Sequence, residues 1–217
     1  MAEHVNKDLI IKAFLDCVFY KSTGSTSLSN IADRLHVKKA SLYNHFNGRD
    51  DIIFQTTQSC SEYIKEINFI PENYESVAEK YPAATVLKGI VSRYVKMSEK
   101  SPLFQIYTFV NEQKYFSTQA AKILIEEKEK FIEQTEKILT ALVKYKKLSL
   151  EENKIQSASK WFVHGVNDIL NFYLMKRKEI VMQNPETGDG ELFTLETDNE
   201  GLEKINLLVE EFCTLFE

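Results

Sequence analysis

Glycine and proline are scarce in this chain, seven and four in 217 residues, and long stretches carry neither. Both interrupt helices, glycine through its backbone entropy and proline through its missing N–H. Where they are absent, apolar residues recur at three-to-four spacing, which points to an all-α protein. From Lys7 to about Lys21, the residues Leu9, Ile10, Ala13, Phe14, Cys17 and Val18 fall on one face, so an amphipathic helix is expected there. STGSTS then breaks the pattern, and Ser27 is placed to cap a helix that turns Ile31, Ala32 and Leu35 inward. Further helices are expected over about Lys39–Asn44, Ile52–Ile67, 83–99, 103–114, 118–147, 150–178 and 200–216, with Pro71 and Pro82 bracketing a polar connection. Residues 184–199, NPETGDGELFTLETDN, read as a loop with one strand-like run, LFTL.

The segment Ser27–Phe46, SLSNIADRLHVKKASLYNHF, carries the clearest functional signal. Ile31 and Leu35 share one side of its first short helix, and Ala32 leaves room for a second helix to cross closely. Val37 plugs the turn, while Leu42 and Phe46 face inward from the second helix. This is a helix-turn-helix pattern, in which apolar contacts fix the angle between two helices and the second is held toward a major groove. Subtraction leaves Lys39, Ala40, Tyr43 and Asn44 outward, with Lys38, Ser41 and His45 at the edges. Lysine donates to guanine, asparagine pairs with adenine, and a small alanine permits close approach or a thymine-methyl contact. Tyr43, Ser41, His45 and Arg49 suit phosphate oxygens, and the helix start near Ser27 offers backbone N–H groups to an anion.

KKASLYNHF followed by NGRDDI resembles the recognition helix and following turn of the TetR family of bacterial regulators, and TSLSNIADRLHV resembles that family's second helix. The resemblance spans about residues 7–55. It implies that Lys39, Ala40, Tyr43 and Asn44 face DNA while Ser27, Ser41, His45 and Arg49 serve the backbone. Two positions depart from the family's pattern. His36 stands where glycine is usual, at a turn that calls for positive φ. Lys38 replaces the usual Ser or Thr cap.

Charge is distributed to match. Residues 1–50 hold seven Lys/Arg and five Asp/Glu, whereas residues 51–217 hold 20 and 27, so the positive end coincides with the helix-turn-helix segment. A division is expected into a DNA-binding domain, 1–50, and a helical ligand-binding and dimerisation domain, 51–217. Cys17, Cys60 and Cys213 are too few and too scattered for a disulfide framework and read as buried packing thiols. No metal-ligand spacing, nucleophile elbow or phosphate loop occurs in the sequence, so neither an enzyme nor a cofactor is expected. No apolar run approaches the roughly 18 residues that span a bilayer, and MAEHVNKDLI lacks the features of a signal peptide, so a cytoplasmic protein is expected.

The helix expected over 150–178 is apolar on two sides, and the last helix repeats the pattern with Leu202, Ile205, Val209, Phe212 and Phe216. Cover on both sides suggests pairing with a second copy, with Ile155, Phe162, Gly165 and Ile169 contributing and Gly165 allowing close approach. TetR-like proteins pair through their last two long helices. The resemblance further implies a ligand cavity among the central helices, where Tyr94, Phe104, Tyr107, Asn111, Trp161, His164 and Asn167 are the candidates for contact with a small-molecule effector. The expected activity is that of a homodimeric repressor on a double-stranded DNA operator, released when the effector shifts the spacing of the two heads. The alternative is a DNA-bound scaffold for a protein partner, which calls for a filled core and an exposed apolar patch instead of an enclosed cavity.

Overall fold

The computed structural model describes residues 5–183 and 198–216, and the LFTL run lies outside the described residues. Ten helices occur among them: α1 Lys7–Lys21, α2 Leu28–Arg34, α3 Lys39–Leu42, α4 Arg49–Glu66, α5 Tyr74–Lys80, α6 Ala83–Ser98, α7 Leu103–Gln113, α8 Thr118–Lys144, α9 Glu152–Gln183 and α10 Asn199–Thr214. No strand is present among the described residues. The all-α class is as expected. Helix α5 forms where a polar connection was expected; its seven residues bury only Ala78, too little to show a helical period.

The helices gather into two compact units, one of residues 1–67 with 101–125 and the other of 68–100 with 126–217. In the first, α1 packs against α7 through edge-on aromatic pairs, Phe14 with Phe109 at 5.8 Å and Phe19 with Phe104 at 5.0 Å between centroids. Ile31, Ala32, Leu42 and Phe46 are all buried, so α2 and α3 cross on the apolar contacts that the sequence pattern specifies. Leu35 and Val37 are partly covered.

The second unit is built on a ring cluster in which Phe69 stacks on Phe131 at 4.2 Å and meets Tyr94 edge-on at 4.6 Å. Helices α9 and α10 pack together through Phe162 and Phe212, whose centroids are 4.9 Å apart. This corrects the expected pairing surface. Ile155, Phe162, Ile205, Val209 and Phe212 are buried within this single chain, so they need no second copy to cover them. Gly165 does permit a close approach, but to the chain's own α10: a Cβ there would lie 3.0 Å from Leu208 Cδ1. Gly165, Ile169, Leu202 and Phe216 are partly exposed. The apolar side left uncovered on α9 is a different one, carrying Trp161, Phe172, Met175 and Met182. All three cysteines are buried thiols.

Candidate nucleic-acid interface

Three local devices set the helix-turn-helix. Ser27 begins α2 with a reciprocal cap: its Oγ accepts from Asn30 N at 3.2 Å, and Asn30 Oδ1 accepts from Ser27 N at 3.0 Å. At the other end of α2, His36 N donates to Asp33 O and Val37 N to Ala32 O, the paired bonds that close a helix when the residue after its cap is left-handed. His36 supplies that conformation at φ 54, where the sequence called for glycine. Lys38 stands at the start of α3 without a side-chain capping bond, as its departure from the Ser/Thr pattern implies.

The left-handed backbone costs a Cβ-bearing residue roughly 1–2 kcal/mol, part of which glycine's greater freedom in the unfolded chain offsets. His36→Gly is therefore expected to raise stability by about 0.5–1 kcal/mol. Urea denaturation followed by circular dichroism measures this; a loss of stability would mean that the imidazole makes a contact outweighing the backbone strain.

Helix α3 is regular only over Lys39–Leu42 and continues as tight turns, with Tyr43 N bonded to Ala40 O, Asn44 N to Ser41 O and His45 N to Leu42 O. Leu42 is 1 % exposed and Phe46 3 %, which anchors one side of this turn. The opposite side carries Lys39, Ala40, Tyr43 and Asn44, all exposed, with Lys38 exposed beside them and Ser41 and His45 partly so. Tyr43 is 54 % exposed although it is a large aromatic, so its ring contributes little to the core of the first unit. Such a surface offers cationic, amide and hydroxyl groups together on one short helical turn, the chemistry that reads base edges and phosphates.

Ser27 is exposed, but its hydroxyl is already used in the cap. Arg49 is committed further. Its Nε donates to Thr26 O at 2.8 Å and its Nη2 to Thr23 O, so the guanidinium bridges α4 to the loop before α2. The same loop is held from α7, where Glu112 accepts from Thr23 N at 2.9 Å and from Thr23 Oγ1 at 2.8 Å. Arg34, at the end of α2, donates twice to Asp16 Oδ2 at 3.1 Å. None of these ties is legible from spacing, because each joins residues far apart in the chain. At the start of α4 the backbone N–H of Asn47 and then the Gln55 amide hold the Asp51 carboxyl below its ordinary range, which keeps a negative charge at that helix terminus.

The seven candidate effector contacts are divided between the two units. Tyr94 is buried in the ring cluster of the second unit. Phe104 and Tyr107 are buried in the first unit, where Asn111 donates to Tyr107 O. Trp161, 71 % exposed, and His164 stand on the outer side of α9, and Asn167 is partly covered. An apolar groove of about 280 Å³ lies elsewhere in the second unit, lined by residues that include Phe69, Val77, Tyr81, Val86, Ile90 and Arg93. No group of three or more potential metal ligands occurs among the described residues, and none of the described helices is long and apolar enough to cross a membrane.

Residues 10–56 match the family model for bacterial regulatory proteins of the tetR family. The chain is 32 % identical over 94 residues to the biofilm operon icaADBC HTH-type negative transcriptional regulator IcaR of Staphylococcus aureus (strain Newman), a match covering 42 % of this chain and 50 % of that protein. It thus spans about half the length of the curated relatives it matches. Two solved structures share the fold over nearly the whole length. One is a putative TetR-family transcriptional regulator from Mesorhizobium loti, with a TM-score of 0.61 at 15 % identity, covering 97 % of this chain and 96 % of that one. The other is the transcriptional regulator FadR from Bacillus subtilis in complex with stearoyl-CoA, with a TM-score of 0.55 at 15 % identity, covering 95 % and 97 %. Residues 10–56 thus carry the helix-turn-helix signature of the tetR family of bacterial regulatory proteins, and the chain shares its fold with regulators of that kind along nearly its whole length.

Proposed function

We propose that the chain is a transcriptional repressor that binds a DNA operator as a homodimer in the cytoplasm and leaves it when a small molecule binds. The observation that carries this is the exposed side of α3, where Lys39, Ala40, Tyr43 and Asn44 stand opposite the buried Leu42 and Phe46. DNA reading is assigned to residues 1–50, with Lys38, Ser41 and His45 at the edge of the face. Effector binding and pairing are assigned to 51–217. The relative IcaR is a negative transcriptional regulator by name, which supports repression as the direction of control.

One short recognition helix reads few base pairs, so a two-fold pair of heads is needed for operator specificity. The outer side of α9 supports such a pairing. Trp161, Gly165, Asp168, Phe172, Met175, Glu179 and Met182 recur at alternating spacings of four and three, and Trp161, Phe172, Met175 and Met182 are 71, 52, 60 and 47 % exposed. The four large apolar side chains among them, Trp161, Phe172, Met175 and Met182, are uncovered on one side of α9 and suit a second helix packed along it. Phe172→Glu with Met175→Glu is expected to convert the dimer to a folded monomer in light scattering. A mass unchanged by these substitutions, or a monomeric unmodified protein, would rule out this face.

For the effector, the groove lined by Phe69, Val77, Tyr81, Val86 and Ile90 supports a lipophilic molecule, with the Arg93 guanidinium among its lining to take a polar head. Bacillus subtilis FadR holds stearoyl-CoA in its structure, a ligand of this lipophilic kind. Release then follows from a population shift toward a dimer whose heads no longer suit successive major grooves. The test is a footprint of the purified protein on the DNA upstream of its own gene, repeated with fractionated metabolite pools. Protection that one pool abolishes is expected; protection indifferent to every pool would refute control by an effector.

A further inference from the structure

Six residues, STGSTS from Ser22 to Ser27, join α1 to α2, and all but Gly24 carry a hydroxyl. A loop so polar is expected to lie in water, yet Thr23 is 4 % exposed and Thr26 1 %. Buried backbone groups need partners, so the loop must find them in itself or on other helices. Some are internal: Thr26 N donates to Thr23 O at 3.2 Å, and Thr26 Oγ1 donates to Ser22 O at 2.7 Å. The others come from two charged side chains of the first unit, one on α7 and one on α4.

Glu112 of α7 meets the donors of Thr23. Its two carboxylate oxygens accept from Thr23 N at 2.9 Å each, and Oε2 also accepts from Thr23 Oγ1 at 2.8 Å. Arg49, the first residue of α4, meets the acceptors: its Nη2 donates to Thr23 O, and its Nε donates to Thr26 O at 2.8 Å. Hydrogen bonds with one ionised partner are shorter and roughly twice as strong as neutral ones, and forked pairs add direction. Direction is what the apolar contacts lack. Phe14 on Phe109 and Phe19 on Phe104 hold α1 against α7, but burial of apolar surface is non-directional. The start of α2 and the start of α4, which follows α3, are therefore both tied to Thr23, and α7 holds that point.

We infer that Glu112 is a positioning residue for DNA recognition: through Thr23 it sets the direction in which α3 is held out, although it lies outside residues 1–50 and outside the matched segment 10–56. The inference rests on the reading of α3 as the DNA-facing helix. Glu112 acts through the loop and not on DNA, since a carboxylate has no proton to give a phosphate and is repelled by it. Its loss tilts the reading face instead of removing a contact from it. Base-edge hydrogen bonds fail with a small tilt, whereas attraction to phosphates depends on charge and persists. The signature is a fall in specific affinity with non-specific affinity kept. A purely structural role has another signature, because a smaller folded fraction lowers both affinities by the same factor and leaves their ratio unchanged.

Fluorescence anisotropy on the full-length protein measures that ratio, with the duplex protected in the footprint and a scrambled duplex of the same length at one salt concentration. Glu112→Leu removes the acceptors at similar volume. It is expected to lower affinity for the protected duplex about tenfold and for the scrambled duplex less than about twofold. Glu112→Gln should restore most of the ratio, because the amide oxygen still accepts from Thr23 N. Thr23→Val keeps the backbone bonds and loses only the hydroxyl, so a fall of about threefold in the ratio is expected from it. That variant decides the matter if circular dichroism shows Glu112→Leu to be unfolded. A ratio unchanged in the folded variants overturns the inference, as does a ratio that Glu112→Gln fails to restore. If Lys39→Ala with Tyr43→Ala still abolishes the ratio, the reading of α3 stands without the inference; no preference in the unmodified protein would bring down both.

Discussion

Lys39→Ala together with Tyr43→Ala is expected to lower specific operator affinity at least about a hundredfold while the chain remains folded and paired. The magnitude follows from each lost base or phosphate contact being worth about 1–3 kcal/mol, with both substitutions present in each half of a dimer. Stability is spared because both side chains are exposed and the anchors Leu42 and Phe46 are untouched. The two contributions differ in kind. If Lys39 meets phosphate, its loss flattens the dependence of affinity on salt concentration; if it meets guanine, its loss relaxes specificity at one base pair. Fluorescence anisotropy at several salt concentrations, with cognate and scrambled duplexes, separates these. Retention of specific binding by the double variant would show that the reading face lies elsewhere.

The second large effect is on the frame that aims α3. Phe14 is fully buried on α1 and packs edge-on against Phe109 on α7. Phe14→Ala removes a fully buried ring packed on Phe109 and leaves a cavity, and the expected cost is about 3–5 kcal/mol. A domain's whole stability is about 5–15 kcal/mol, so the first unit should lose much of its margin and with it the orientation of α2 and α3. Chemical denaturation with probes in each unit is the measurement, because a chain of two compact units does not guarantee one transition. A loss under about 1 kcal/mol would mean that α1 and α7 are held by other contacts, such as Glu112 with Thr23.

What could be read from the sequence is what is local. The helix-turn-helix is specified within twenty residues: Ile31, Ala32, Leu42 and Phe46 are near one another in the chain, and so are the caps at Ser27 and His36. Even the anomaly at His36 was legible, because the turn demands positive φ whichever residue occupies it. Long-range pairings were not. Helix α9 is apolar on two sides, and periodicity alone does not say which side meets α10 of the same chain; Phe162 and Ile155 prove to be inside, and Trp161 and Phe172 outside.

The same limit governs the aromatics. Tyr94 is matched to Phe69 and Phe131, 25 and 37 residues away, so its place in a core was invisible to spacing. Arg49 looked available to phosphate because a charge near a recognition helix usually is, whereas the carbonyls of Thr23 and Thr26 take it inward. Glu112 gave no sign of its tie to Thr23. A carboxylate near the end of an apolar helix such as LFQIYTFVNEQ is unremarkable until the fold brings it against the loop before α2.

Selection of bound duplexes from a random DNA pool, followed by sequencing, puts the outward face of α3 and the pairing of two copies to the test at once. The expected result is a two-fold-symmetric motif with half-sites spaced for successive major grooves, enriched by the unmodified protein and not by the Lys39→Ala, Tyr43→Ala variant. Enrichment of the same motif by both proteins, or of no motif by either, would contradict the account.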